Sequence, residues 1–131
     1  MREILFKAKR LDKGGWVEGC YLKKFDPLLG VAKHFILKQR EMHSFCDWYP
    51  VIGDTVCQYT GLTDKNGVKI FEGDVVNIAD SRKPGIPAPV AYLKDHCQFV
   101  ILRQGYNPLW LCDYDSKKSL EVTRNIHDKE E

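Results

Sequence analysis

Gln58-Tyr59-Thr60-Gly61-Leu62-Thr63-Asp64-Lys65-Asn66-Gly67-Val68-Lys69-Ile70-Phe71-Glu72-Gly73-Asp74-Val75-Val76 sets two turn signals between short runs that favour extended chain. Asn66-Gly67 offers two residues that tolerate positive φ, and Gly73, between Glu72 and Asp74, offers a third. The backbone is therefore expected to reverse or bulge twice within one small unit. The flanking runs, 55–60 and 74–78, are rich in β-branched and aromatic residues and are expected to be strands.

Toward the N-terminus the same period of two continues. In residues 2–8, Ile4, Phe6 and Ala8 share one face and Glu3, Leu5 and Lys7 the other, and Asp12-Lys13-Gly14-Gly15 makes a turn. Residues 16–24 resume β character, supported by Val17, Tyr21 and Phe25, and Gly19 inside the run points to a bulge or a close backbone approach. The first 25 residues thus read as a hairpin. Residues 31–49 admit two readings. Val31, Phe35, Met42 and Cys46 fit a helical stripe, whereas His34-Phe35-Ile36-Leu37-Lys38 fits a strand, and the strand is preferred.

Toward the C-terminus, residues 79–89 hold Pro84, Gly85, Pro87 and Pro89 and are expected to form a mobile loop. Residues 90–93, 98–102 and 109–112 follow as short strands, and 119–123 as a closing one. Short strands at this spacing imply a small barrel. Residues 127–131 are polar and expected to fray. The organisation expected is one domain of two parts, 1–54 and 55–126, with a short tail.

Composition narrows the class. An apolar fraction of 44% beside 29% charged residues is that of a chain able to bury a core. No run approaches a membrane span and Met1-Arg2-Glu3 leads into alternation rather than a signal-peptide block, so a cytoplasmic protein with no membrane partner is expected. Five scattered cysteines, Cys20, Cys46, Cys57, Cys97 and Cys112, suit reduced thiols. With 20 basic and 18 acidic residues, the net charge of +2 sets up no field that demands a polyanion.

Three elements occurring in order resemble the YopX family, found largely in bacterial phages and prophages. They are Arg2-Glu3-Ile4 through Phe6-Lys7-Ala8, the Trp16-Val17-Glu18-Gly19 element, and the central block of Gln58-Tyr59-Thr60-Gly61-Leu62, Asp64-Lys65-Asn66-Gly67 and Ile70-Phe71-Glu72-Gly73-Asp74-Val75-Val76. The resemblance is weaker over residues 31–49. Where the family tends to end on a Val-Ile-Gly-Asn-Ile segment this chain has Val122-Thr123-Arg124-Asn125-Ile126, which puts a glycine-dependent turn there in doubt. The resemblance implies a mostly β fold with little helix, a complex N-terminal β part followed by a small SH3-like β-barrel. It implies no known activity.

Candidate chemistry is sparse. Asp64, Glu72 and Asp74 are close in sequence and offer an acid/base pair or a cation site, but each borders a turn whose amides such side chains commonly satisfy. Tyr59, Thr60, Gly61, Asp64, Asn66, Gly67, Glu72, Gly73 and Asp74 are therefore taken as structural, with no catalytic, metal or cofactor-binding residue expected. His43 with Cys46, joined by His96, Cys97 or Cys57, lacks the paired short spacings of a zinc site. A nucleophilic cysteine beside His96 fails because neighbours on a strand point to opposite faces.

Lys7, Lys23, Lys24, Tyr92, Lys94 and Arg103 would make a nucleic-acid platform only if they shared a face, and nothing in their spacing requires it. Trp16, Trp48 and Trp110 read as core or subdomain-interface residues. The reading favoured is a non-enzymatic module binding an unknown protein partner, able to pair with itself through exposed strand edges. Nucleic-acid binding is the alternative, and an enzyme using the three carboxylates comes third.

Overall fold

Alternation of side chains carries through to a mostly β structure with almost no helix. The computed structural model describes residues 3–12, 15–39, 46–78, 87–102, 107–113 and 116–128. The chain divides into two units, Met1–Gln58 and Tyr59–Glu131.

In the first unit β1 (Phe6–Lys9), β2 (Trp16–Asp26), β3 (Val31–Gln39) and β4 (Cys46–Val51) form an antiparallel meander. Cys57 and Gln58, at the start of β5 (Cys57–Thr63), pair with the other side of β1. Ala8, Val17, Ile36 and Val51 form the buried core, with Phe6, Tyr21, Tyr49 and Val56 packed around them. Strand β1 starts at Phe6, so Ile4 precedes it and is exposed, and Phe25 is exposed at the far end of β2.

Strand β2 outruns the N-terminal hairpin read from the sequence. Trp16 to Gly19 pair with β1, and Cys20 to Asp26 pair with β3. At the changeover sits Gly19, where a Cβ would overlap the Leu37 carbonyl, so the close approach is real. The described part of residues 31–49 consists of β3 and the start of β4, so the strand reading holds. With β2 on one side and β4 on the other, the backbone groups of β3 are taken by two ladders, and no helix competes. Met42 and His43 lie outside the described residues.

In the second unit β6 (Lys69–Phe71) pairs with β5, and β7 (Asp74–Ile78), β8 (Ala88–Leu93), β9 (Gln98–Ile101), β10 (Leu109–Trp110) and β11 (Leu120–Asn125) form an antiparallel sheet ordered β10-β9-β8-β7-β11. One helical turn, Ser116–Ser119, leads into β11. Ile70, Val76, Ala88, Val90, Ile101, Leu111 and Leu120 make the core. Among the described residues no ladder joins β10 to β11, so the SH3-like barrel is not closed by strand pairing.

The proline-rich loop ends earlier than the sequence suggests. Pro89 lies in β8 opposite Val75, its carbonyl accepting from the Leu102 N–H at 2.9 Å. The N–H that proline lacks falls on the β9 side opposite Leu102, at the last position of that ladder, so only one terminal bond is forgone. Residues 79–86 and most of the tail lie outside the described residues.

Two further details bear on the turns. The glycine-dependent turn in doubt near Arg124 is replaced by a bulge: Val122 pairs with Val76 and Arg124 with Val75, leaving Thr123 extra, its Oγ1 donating to the Val75 carbonyl at 3.0 Å. The β8–β9 connection places Cys97 at φ 52°, and it is the one non-glycine residue with positive φ among those described. Cys97→Gly relieves that left-handed strain and is expected to raise stability by about 0.5–1 kcal/mol, less than the full strain because glycine has more unfolded-state entropy to lose. A shift of the urea midpoint at unchanged slope checks it.

Candidate functional site

The nine residues taken as structural, from Tyr59 to Asp74, lie in the second unit, and the structure distributes them over three consecutive bends. The first is in β5. Tyr59 pairs with Phe71 and Thr63 with Lys69, so the register shifts between them, at Gly61 with φ 90°. The Thr60 hydroxyl bridges the irregularity, donating to the Ile70 carbonyl at 2.7 Å and accepting from the Leu62 N–H at 3.2 Å. Tyr59 is buried against Phe71, ring centroids 5.5 Å apart, and Lys69 Nζ lies 5.7 Å from its centroid.

The second bend joins β5 to β6. Asn66 does not take the positive φ that a two-residue turn would need; Gly67 alone does, at 79°. The Gly67 N–H donates to the Asp64 carbonyl at 3.0 Å and the Asp64 N–H to the Val68 carbonyl at 2.8 Å, the pattern of a three-residue loop closed by a left-handed glycine. The Asp64 side chain is buried and accepts three backbone donors. Oδ1 takes the N–H of Asn66 at 2.8 Å and of Val68 at 2.9 Å, while Oδ2 takes that of Val122 at 2.9 Å.

The contact with Val122 covers the outer edge of β11, and beside it the Lys65 N–H donates to the Leu120 carbonyl at 3.0 Å. An edge that would otherwise be open is thus occupied by a turn. Burial pushes the Asp64 carboxyl up, but the donors from Val122, Val68 and Asn66, together with the Lys65 charge, outweigh it and hold the group below the ordinary aspartate value.

The third bend, Glu72-Gly73-Asp74, joins β6 to β7. Asp74 is buried, with Oδ2 accepting from the Phe71 N–H at 2.8 Å and Oδ1 from Asn125 Nδ2 at 2.9 Å. Asn125 Oδ1 accepts from the His127 N–H at 2.9 Å, and its Nδ2 reaches the half-buried Glu72 at the carbonyl, 3.5 Å away. Gly73 donates to the Val90 carbonyl at 2.7 Å and accepts from the Ile126 N–H at 2.8 Å. Its φ of 85° favours glycine, and a Cβ there would stand a tight 3.3 Å from Asn125 Nδ2.

The two buried carboxylates therefore engage different stretches of one strand, Asp64 near its start and Asp74 at its end. Sequence reading missed Asn125, a buried amide joining Glu72, Gly73 and Asp74 to the chain's end. Its signal was the Asn-Ile pair within the C-terminal family segment. Sequence reading also missed the Tyr21 hydroxyl, 2.6 Å from His34 Nδ1 in the first unit, whose pKa burial raises.

The other candidate sets are separated. Cys57 is buried, its Sγ donating to the Thr55 carbonyl at 3.2 Å, while Cys46, Cys97 and Cys112 are exposed. Among the described residues no group of three or more His, Cys, Asp and Glu side chains is gathered to hold a metal ion. Of the basic and aromatic set, Lys7 lies over the Trp16 ring at 4.6 Å, and Lys23 and Lys24, adjacent on β2, point to opposite faces. Tyr92 packs on Phe99, with centroids 5.2 Å apart, and Arg103 lies outside the described residues.

Comparison with protein families finds the YopX protein family matching residues 6–131, nearly the whole chain. The chain belongs to the YopX family. A solved structure, that of protein EF1440 from Enterococcus faecalis, is similar with a TM-score of 0.60 and 22% identity, covering 97% of this chain and 95% of that one. At that identity the likeness shows a shared fold. Comparison with curated proteins found no match. The YopX match extends through the strand that carries Val122 and Asn125, so both the central block and its partners in β11 fall within the family region.

Proposed function

We propose that this YopX-family protein is a non-enzymatic binding or assembly module of phage or prophage origin, acting through protein contacts in the bacterial cytoplasm. The observation that supports this reading is the engagement of Asp64 and Asp74. Their oxygens accept from backbone amides and from Asn125, which gives them a role in holding turns to β11. Self-association fits the same reading, because β10 ends its strand order and an edge of this kind can be hidden by pairing between copies.

Affinity capture of the tagged protein from host lysate, run beside an unbiased substrate-turnover screen, tests the proposal. A stoichiometric protein that co-elutes after a second purification step is the expected result. A clean preparation that binds no protein and turns over a substrate would sink it.

A further inference from the structure

The β2–β3 hairpin ends in Phe25-Asp26-Pro27-Leu28-Leu29-Gly30-Val31. Its apolar side chains face solvent: Leu28 is 95% exposed, Leu29 64%, Phe25 63% and Val31 52%. They are not confined to one side. Phe25 stands opposite Ala32 and Val31 opposite Asp26, so Phe25 and Val31 leave opposite faces while the two leucines occupy the turn.

The turn's backbone donors are already satisfied within the hairpin. Pro27 has none, Leu28 and Leu29 donate to Asp26 Oδ1 at 3.0 and 3.4 Å, and Gly30 donates to the Asp26 carbonyl at 2.9 Å. Asp26 Oδ2 in turn pairs with Lys33 Nζ at 3.4 Å. Such an end can leave water without stranding an amide. Behind it stands a basic collar of exposed residues, with Lys24 opposite Lys33 on one face and Lys23 on the other. Against the single carboxylate of Asp26, the three lysines leave the end positively charged.

We propose that this hairpin end docks on an anionic lipid surface, with Leu28, Leu29, Phe25 and Val31 entering the acyl boundary and Lys23, Lys24 and Lys33 lying among headgroup phosphates. The dimensions agree. At about 3.3 Å per residue the Lys24–Lys33 pair sits roughly 7–10 Å behind the turn, the depth to which interfacial segments bury their apolar part. Apolar and basic residues on both faces suit a medium that surrounds the tip. A second copy would instead bring like charges together. No helix among the described residues is long and apolar enough to cross a membrane, and docking by a strand hairpin needs none.

The test is co-sedimentation of the full chain with phosphatidylcholine vesicles, with and without phosphatidylglycerol, at low and physiological salt. Binding is expected on the anionic vesicles and to weaken with salt and without the anionic lipid. The pair L28D and L29D together, and K23E with K24E, are each expected to lower partition about tenfold or more while circular dichroism stays unchanged, since these side chains lie outside the core. L28W is expected to retain binding and to shift its fluorescence to the blue on vesicles. The proposal is overturned if the native chain does not sediment with anionic vesicles, or if it does so equally with L28D and L29D. It is also overturned if light scattering shows a lipid-free dimer, abolished by L28D and L29D, with no vesicle binding.

Discussion

Asp64→Ala is expected to destabilise the second unit by about 3 kcal/mol, because one truncation removes the acceptor of three backbone amides at once. A buried donor without an acceptor costs about 1–3 kcal/mol, and the part-buried N–H groups of Asn66, Val68 and Val122, which all donate to this carboxylate, carry the low end of that cost. Their costs are not additive, since water enters a site once it opens, so the lower end of the sum is the sounder figure. Hydrogen exchange by NMR checks the claim residue by residue, with lost protection at those three amides preceding loss elsewhere in the unit. Uncovering the outer edge of β11 is also expected to increase self-association at high concentration.

The same carboxylate contributes a pH dependence of definite sign. Its folded pKa lies below the ordinary, unfolded value, so its stabilisation is fully present above the ordinary aspartate pKa and is lost as pH falls through the lower folded one. Asp64→Asn, which keeps the size and cannot ionise, is therefore expected to be less stable than the native chain at neutral pH. The gap narrows as the solution is acidified below the ordinary aspartate range. Urea midpoints of the two proteins measured across that range check it, and a gap constant with pH would place the stabilisation elsewhere.

Gly19→Ala is expected to cost the first unit about 3 kcal/mol, at the upper end for overpacking, because the obstacle is backbone. The new Cβ would overlap the Leu37 carbonyl and stand 3.0 Å from Ile36 Cγ2. A carbonyl held in a ladder cannot rotate aside as a side chain can, so the Cys20–Leu37 register must open next to the buried Ile36. Gly15→Ala is the control, since a Cβ there meets nothing within 4 Å and the change is expected to fall within about 0.5 kcal/mol. Fluorescence-detected unfolding reports the difference, with Trp16 and Trp48 as probes in this unit.

Gly19 shows how far local reading reaches. A glycine inside an alternating run can only mark a bulge or a close approach, and the structure has the close approach. Residues 31–39 sit nearer the limit, for both periods fit them and only the strands on either side decide between them. Pro89 lies past it. Judged locally, proline ends a ladder, but in place it sits at a ladder's last position, where its carbonyl still accepts from Leu102.

The sequence by itself determined the β class, the order of most strands and the positions of the bends, because the period of side chains and the φ preferences of Asn, Gly and Pro act between neighbours. It also placed Asp64 and Asp74 beside turns that need acceptors. Tertiary structure alone decided that the second oxygen of Asp64 would reach Val122, 58 residues on, and that Asp74 would hold Asn125, 51 residues on. Such partners meet only when β11 pairs with β7, and no local preference encodes a meeting between segments that the folding of the whole sheet brings together.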